Sequence, residues 1–329
     1  MLKETRKEAQ ITQEQPVDKT DTKKSFNWAV IVNPYSGNKK VSKRWNGIHQ
    51  LLREMDAETH FTTAPAHAIE LAKNLVENGY RKIIVIGGDG TLNEVVNGIY
   101  GSEIEDKKEV KLAVVPFGTG NDWGRFWGID RNYKKAIQYV KNGKTKMIDI
   151  GLCSYKIGGI PAEQYFINGA GGGFDATVAH ITSRLKTFLG GNKWVYSVSL
   201  LISVFFYRAK RMCIAFNGET IQQTIFTFSI GNGCYSGGGI KQNPDAVPYD
   251  GLFDAMIVAK PRFLQILKGI ALVFKGKLAE LPCVASFRST EIAIVCDEKI
   301  RMELDGIDIQ GDGEYLIQLV PSALQMVIP

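Results

Sequence analysis

Residues Lys82 to Tyr100 read KIIVIGGDGTLNEVVNGIY, and two periodicities meet inside them. Lys82 to Ile86 is a mostly β-branched run without a polar break, as expected of a strand buried on both faces. Leu92, Val95, Val96 and Ile99 then recur at helical spacing. Between the two stands Gly87-Gly88-Asp89-Gly90-Thr91. A buried strand that turns straight into an amphipathic helix is half of a parallel β-α unit. Glycines in such a turn let the backbone approach a ligand closely. The unpaired N–H groups of the following helix favour negative charge there, so the turn is a candidate phosphate cradle. Thr91 stands where it can cap that helix. Asp89 is anomalous, because a carboxylate beside phosphates repels them unless a cation or a transferable proton intervenes. It points to Mg²⁺ or to base chemistry.

The strand-then-loop pattern occurs twice more. Trp28 to Val32 leads into Asn33-Pro34-Tyr35-Ser36-Gly37, and Lys111 to Val115 leads into Pro116-Phe117-Gly118-Thr119-Gly120-Asn121-Asp122. In a parallel sheet the C-terminal ends of the strands share one edge, so three loops distant in sequence are expected to converge on one crevice. The first loop lacks the Gly-x-x-x-x-Gly-Lys-Ser/Thr arrangement, which excludes a P-loop NTPase. Protein-kinase motifs are also missing.

Past Met147 the texture changes to short β-rich runs: Gln164 to Ile167, Met212 to Phe216, Thr224 to Ile230, Leu252 to Val258, Ile292 to Val295 and Tyr315 to Val320. These read as an antiparallel β-sandwich. The expected organisation is a mobile polar tail over 1–25, an α/β nucleotide-binding domain over 26–147 and a sandwich over 148–329, whose C-terminal segment can pack back on the first domain. The length of 329 residues suits two domains, and 44% hydrophobic with 22% charged residues suits a soluble globular protein. Forty Lys and Arg against 34 Asp and Glu give a net charge of +6, enough to suit nucleotides or anionic membrane surfaces and too little to argue for nucleic acid. The five cysteines form no Cys-x-x-Cys pair and read as reduced thiols of a cytosolic protein. Trp194 to Tyr207 falls short of the roughly 20 residues that a bilayer span needs.

The sequence resembles the bacterial diacylglycerol kinase-like lipid kinases, relatives of sphingosine and ceramide kinases and, more distantly, of NAD kinase. The resemblance rests on Asn33-Pro34-x-Ser36-Gly37, Gly87-Gly88-Asp89-Gly90-Thr91-Leu92-Asn93-Glu94 and Pro116-x-Gly118-Thr119-Gly120-Asn121-Asp122. It continues through Phe166-x-Asn168, Gly173-x-Asp175-Ala176, Gly237-Gly238-Gly239 and Asp250-Gly251. It implies an NAD-kinase-like α/β domain followed by a β-sandwich, with ATP held between the three loops and a lipid presented by the sandwich. The implied nucleotide contacts are Asn33, Pro34, Ser36, Gly37, Gly87, Gly88, Gly90, Thr91, Asn93, Gly118, Thr119, Asn121 and Asp122. Thr62 is added where the family places another threonine. The family's Mg²⁺ site maps onto Asp250, with carbonyls of Val247 and Leu252 as further ligands. A plain hairpin turn explains Asp250-Gly251 equally well. Asp175 fits a supporting role or a buried structural acid.

One departure bears on mechanism. Relatives carry Asp-Gly-Glu near the C-terminus, and that glutamate is their proposed base. Here the segment reads Leu304-Asp305-Gly306-Ile307-Asp308. Asp312-Gly313-Glu314 has the right letters seven residues later. The Asp305 alignment is preferred, which makes Asp305 a candidate catalytic carboxylate; the resemblance to the sphingosine-kinase branch, where the base is assigned to the aspartate of the glycine loop, makes Asp89 the first candidate. Loss of a general base typically costs 10²–10⁴-fold, leaving a slow enzyme. The expected function is therefore ATP- and Mg²⁺-dependent phosphorylation of a lipid hydroxyl, diacylglycerol-like, by a peripheral protein at the inner membrane face. An NAD kinase-like enzyme and a nucleotide-binding pseudokinase are the alternatives. The sequence neither requires nor excludes a dimer. Arg184 to Trp194 and Leu267 to Lys277 are apolar stretches flanked by cations that suit anionic headgroups. Most of their apolar residues are nevertheless expected in the core.

Overall fold

The computed structural model describes residues 27–189, 198–199, 202–203 and 206–329. The polar tail, most of Trp194 to Tyr207 and the side chains of much of Arg184 to Trp194 lie outside the described residues.

Four parallel strands, β1 (Trp28–Val32), β2 (Ala57–Phe61), β3 (Lys82–Gly87) and β4 (Lys111–Pro116), form the first sheet in the order β2-β1-β3-β4. Ala29 to Val32 and Ile83 to Ile86 have no exposed surface, as their unbroken apolar runs require. Helices α1 (Ser36–Arg53), α2 (His67–Glu77), α3 (Asp89–Tyr100), α4 (Asp122–Phe126) and α5 (Tyr133–Asn142) connect and cover these strands. The chain leaves β1 toward β2 and returns to β3 on the other side. This reversal opens a crevice at the C-terminal strand ends, the place where α/β sheets bind ligands.

The second unit is antiparallel. It comprises β5 (Lys144–Ile157), β6 (Ile160–Phe166), β7 (Gly169–Gly173), β8 (Lys210–Phe216), β9 (Glu219–Gly231), β10 (Phe253–Ala259), β11 (Val284–Ser289), β12 (Glu291–Cys296), β13 (Arg301–Leu304), β14 (Ile307–Gln310) and β15 (Glu314–Ile328). Phe166, Phe228, Phe253, Ile294, Met302, Leu304 and Ile317 fill its core. Two glycines make room for the rings: a Cβ at Gly151 would meet the Phe166 ring at 2.0 Å, and one at Gly172 the Phe228 ring at 2.2 Å. Helix α6 (Phe174–Leu189) packs on the face of β7, β13 and β9 away from this core.

The two units share strands. β15 pairs antiparallel with β12 in the sandwich, shifts register between Val320 and Leu324, and then runs parallel to β4 with Gln325 opposite Lys111. β5 accompanies it along both parts. Helix α7 (Phe263–Val273) overturns one expectation. Only Gly269 is buried in it, whereas Phe263 (54%), Leu264 (77%), Leu267 (47%) and the following Phe274 (58%) stand exposed. Only Gln265 and Lys268 are polar within the helix, so its composition reads as core although Leu264 and Leu267 face water.

Candidate active site

The loops after β1, β3 and β4 meet. Asn33 Nδ2 donates to Thr91 Oγ1 at 3.1 Å, and the Asn33 amide donates to Ile86 O at 2.9 Å, tying the first loop to the second. Residues Gly37 to Lys39 all have positive φ, so the first turn of α1 is a left-handed loop. A Cβ on Gly37 would stand 2.3 Å from Phe117 O. That position needs glycine both for its φ of +61° and for its approach to the third loop. Gly88 and Gly118 touch back to back, each leaving under 3 Å for a Cβ against the other's Cα. Phe117 N donates to Gly87 O at 2.7 Å. Pro34 O accepts the Ser42 hydroxyl at 2.9 Å, and Ser36 N donates to Asn33 O at 3.2 Å. Thr62, 4% exposed, donates its amide to Val32 O at the same edge. Nothing lies within 4 Å of a Cβ on Gly90, and Thr119 is exposed.

Thr91 does not cap α3. Gly88 is the N-cap, without a side-chain bond, and the Thr91 hydroxyl is spent on Asn33. Asn93 is fully buried and faces the sandwich, donating to Tyr165 O at 3.0 Å and to Asp305 Oδ2 at 2.9 Å. Asn97 reinforces it through two bonds with the Tyr165 backbone. These residues clamp the two domains together, so Asn93 has no free amide for a nucleotide.

A fourth loop arrives from the sandwich. Gly238 N donates to Asp122 Oδ2 at 2.7 Å, and Arg125 Nη2 reaches Gly120 O and Gly238 O, both at 3.4 Å. Arg131 Nη2 braces the third loop through Gly120 O at 2.9 Å. A Cβ on Gly120 would lie 3.1 Å from Asp89 Oδ2 and 3.3 Å from Asp122 Oδ2, so both carboxylates flank this glycine. Asp89 Oδ1 accepts from Trp123 N at 3.3 Å. Asp122 is buried, which pushes its carboxyl up; the Gly238 N–H pulls back and the Asp89 charge pushes further. Asn121 Oδ1 and Asp122 Oδ1 are buried without a hydrogen-bond donor. Buried polar atoms left unpaired inside a glycine-rich crevice mark a place where a ligand supplies the partner.

Asp305 opens a tight Asp-Gly turn at φ +49° between β13 and β14. Its Oδ1 accepts from Asn168 N and Gly169 N, both at 2.9 Å, and its Oδ2 from Ile167 N at 2.7 Å and Asn93 Nδ2. Four donors fill its lone pairs, leaving none for a hydroxyl proton. Burial pushes this carboxyl up while the four bonds pull back. Asp305 thus holds the Ile167–Gly169 backbone against α3. Asp175 is likewise committed, accepting from Gln242 at 2.5 Å, with burial pushing it up to about 6.

The Asp250 loop does not fit a metal ion. Asp250 Oδ2 is bonded to the Arg288 guanidinium, which also reaches Asp254 at 3.2 Å. Asp250 Oδ1 accepts Leu252 N at 3.1 Å, and Val247 O accepts the amides of Tyr249 and Asp250. A guanidinium therefore stands where the resemblance to relatives places the cation. Among the described residues there is no group of three or more His, Cys, Asp or Glu side chains able to hold a metal.

Sequence reasoning missed Arg125, Arg131 and Glu303. The first two had a legible signal, cations three and nine residues after Asp122, the acid of the third glycine loop. Glu303 had none, because an acid in an alternating strand reads as solvated.

The comparisons agree with this geometry. The family model for the diacylglycerol kinase catalytic domain matches residues 27–153, and that for the YegS C-terminal NAD kinase beta sandwich-like domain matches 169–328. The diacylglycerol kinase of Bacillus subtilis (strain 168) is 32% identical over 84% of this chain and 88% of its own length. That of Staphylococcus carnosus (strain TM300) is 31% identical over 84% and 87%. A solved diacylglycerol kinase from Bacillus anthracis str. Sterne superposes with a TM-score of 0.66 at 23% identity, covering 92% of this chain and 96% of that one, and so shares the fold. This chain belongs to the diacylglycerol kinase family of lipid kinases, phosphotransferases that act on an alcohol group.

Proposed function

We propose that this protein transfers the γ-phosphate of MgATP to the hydroxyl of a membrane lipid, with a diacylglycerol-like acceptor as the first expectation. The observation that carries the reading is the meeting of four glycine loops from two domains around Gly120, with Asp89 and Asp122 beside it. Phosphoryl transfer asks little covalent work of a protein; backbone donors and cations position the phosphates and offset their charge. The glycines of the three strand-end loops and the amides of α3 supply such donors, and Arg125 and Arg131 supply positive charge. Mg²⁺ enters as the counter-ion of ATP, since the Asp250 loop is closed to it.

Asp89→Asn, which removes the carboxylate that would face the counter-ion of ATP, is expected to lower lipid phosphorylation by at least about 10²-fold, measured as label moving from γ-labelled ATP into organic-soluble product. Label moving to NAD instead would favour the NAD kinase reading. ATP binding without transfer to any acceptor would favour a pseudokinase.

The acceptor has to be met at a membrane, and α7 is the surface suited to it. Leu264, Leu267 and Phe274 lie along one exposed face, with Arg262, Lys268 and Lys275 exposed beside them. A cleft of about 600 Å³ opens beside its N-terminus, lined by Lys260, Arg262 and Gln265. An apolar face bordered by cations suits an anionic bilayer. No helix among the described residues is long and apolar enough to cross one. Burying a leucine is worth about 1.5–3 kcal/mol. Leu264→Glu with Leu267→Glu is thus expected to weaken sedimentation with phosphatidylglycerol vesicles at least about tenfold while sparing activity on a short-chain acceptor in solution. Vesicle binding equal to wild type would refute the assignment of this face.

A further inference from the structure

The family's glutamate is missing here, and the structure shows what surrounds its position. Ile307 pairs with Leu304 across the β13–β14 hairpin and packs against the sandwich core, so no carboxylate sits there. Other acids lie nearby, and most are committed. Asp305 has no lone pair left. Asp308 is held by Arg301 at 2.7 Å and by His180 at 2.8 Å. Asp312 accepts the amides of Gly158 and Gly159 and faces Lys299. Glu314, the other candidate from sequence, is exposed and stands 4.0 Å from Lys156.

Glu303 remains. Its strand neighbours Met302 and Leu304 have no exposed surface and point into the core, so strand alternation sends Glu303 to the opposite face, the one it shares with Asp305. Its register partner on β7 is Gly171, where a Cβ would lie 3.8 Å from Glu303 Oε1. No side chain at that position covers the carboxylate. Oε2 accepts Gly306 N at 2.7 Å, whereas Oε1 has neither a donor nor a cation among the described residues. The same face is fastened through Asp305 and Asn93 to α3, whose first residue is Asp89.

We propose that Glu303 is the proton acceptor for the lipid hydroxyl, acting from the same hairpin on which Ile307 has replaced the family's base. The inference rests on the kinase reading above. The acceptor O–H bond breaks with its proton passing to Glu303 Oε1, and the oxygen forms a bond to the γ-phosphorus. The bond from phosphorus to the bridging oxygen breaks, and its electron pair leaves on ADP. Glu303 then returns its proton to water.

The setting suits that task. Burial and the Asp305 charge push the Glu303 carboxyl up to about 8, with the Gly306 N–H pulling back and Asp175 of α6 and Asp122 of α4 pushing further. The remaining charges on that face, Asp308, Arg301 and His180, are engaged with one another. A base with this affinity for protons becomes active as pH rises toward and past 8.

The test is phosphorylation of a short-chain diacylglycerol by MgATP from pH 6 to 9.5, comparing wild type, Glu303→Gln and Glu303→Asp. Glu303→Gln is expected to lose about 10²–10⁴-fold in kcat, to keep the KM for ATP, and to lose the rise near pH 8. Glu303→Asp is expected to retain more kcat than the glutamine variant. An active wild type with unaltered kcat and pH profile in Glu303→Gln, or a glutamine variant as active as the aspartate one, overturns the proposal alone. A wild type inert toward every acceptor overturns the kinase reading and the base with it.

Discussion

Asp305→Ala is expected to destabilise the protein by about 3–5 kcal/mol, among the largest losses that a single substitution causes. The carboxylate accepts the Ile167, Asn168 and Gly169 amides, and it takes one bond from Asn93. Its removal orphans those donors inside the protein, and each buried polar group left unpaired costs about 1–3 kcal/mol. Part of the sum returns as water enters. Asp305→Asn keeps one acceptor oxygen and is expected to lose roughly half as much. Urea unfolding of the three proteins checks this through the midpoint at constant slope. An alanine variant within about 1 kcal/mol of wild type would mean that the hub is not rigid. The chemical consequence is also specific: because the Asp305 lone pairs are filled, activity in the asparagine variant should follow the fraction folded, whereas Glu303→Gln should fold and fail to turn over.

The first half of the molecule was legible because its signals are local. An unbroken apolar run such as Ile83 to Ile86 has one comfortable environment, the middle of a parallel sheet. The glycines that follow have few uses other than close approach. Convergence of the three loops then follows from sheet geometry alone. What stayed hidden depends on partners distant in the chain. Asn93 lies in a motif full of nucleotide-loop residues, yet its amide is consumed by Tyr165 and Asp305, the latter more than two hundred residues away. Asp250 reads as a free ligand until Arg288 is brought onto it from β11. The return of the C-terminal segment to the first domain was expected, but its form, β15 pairing with β4 through two residue pairs, is announced by no periodicity. The outward face of α7 was misjudged for another reason: apart from Gln265 and Lys268 the helix is apolar, so its composition said "buried" where position in the fold says "surface".

Glu303 offers a second large effect, in stability, with a sign opposite to that of an ordinary salt-bridged acid. Its carboxyl ordinarily titrates at 4.5 and in the fold is pushed up to about 8. Between these two values the native protein keeps a proton that the unfolded chain has released. The associated stability is fully present below 4.5 and is lost as pH rises through 8. At about 1.4 kcal/mol per tenfold, the gap corresponds to on the order of 4–5 kcal/mol. Asp305 shares the burial, which pushes its carboxyl up against the pull of four donors, and it too is present in both proteins. Asp175 and Asp122 bend the curve in the same direction, yet they are present in both proteins and cancel in the comparison. Glutamine has the shape of the protonated acid and nothing to titrate. Urea unfolding at pH 5 and pH 9 should therefore show wild type losing on the order of 3–5 kcal/mol more than Glu303→Gln over that interval, with the variant the more stable protein at pH 9. Parallel losses in the two proteins would mean that Glu303 is charged and solvated at neutral pH. In that event its side chain could not hold back a proton, and the rise in activity near pH 8 would have to come from another group.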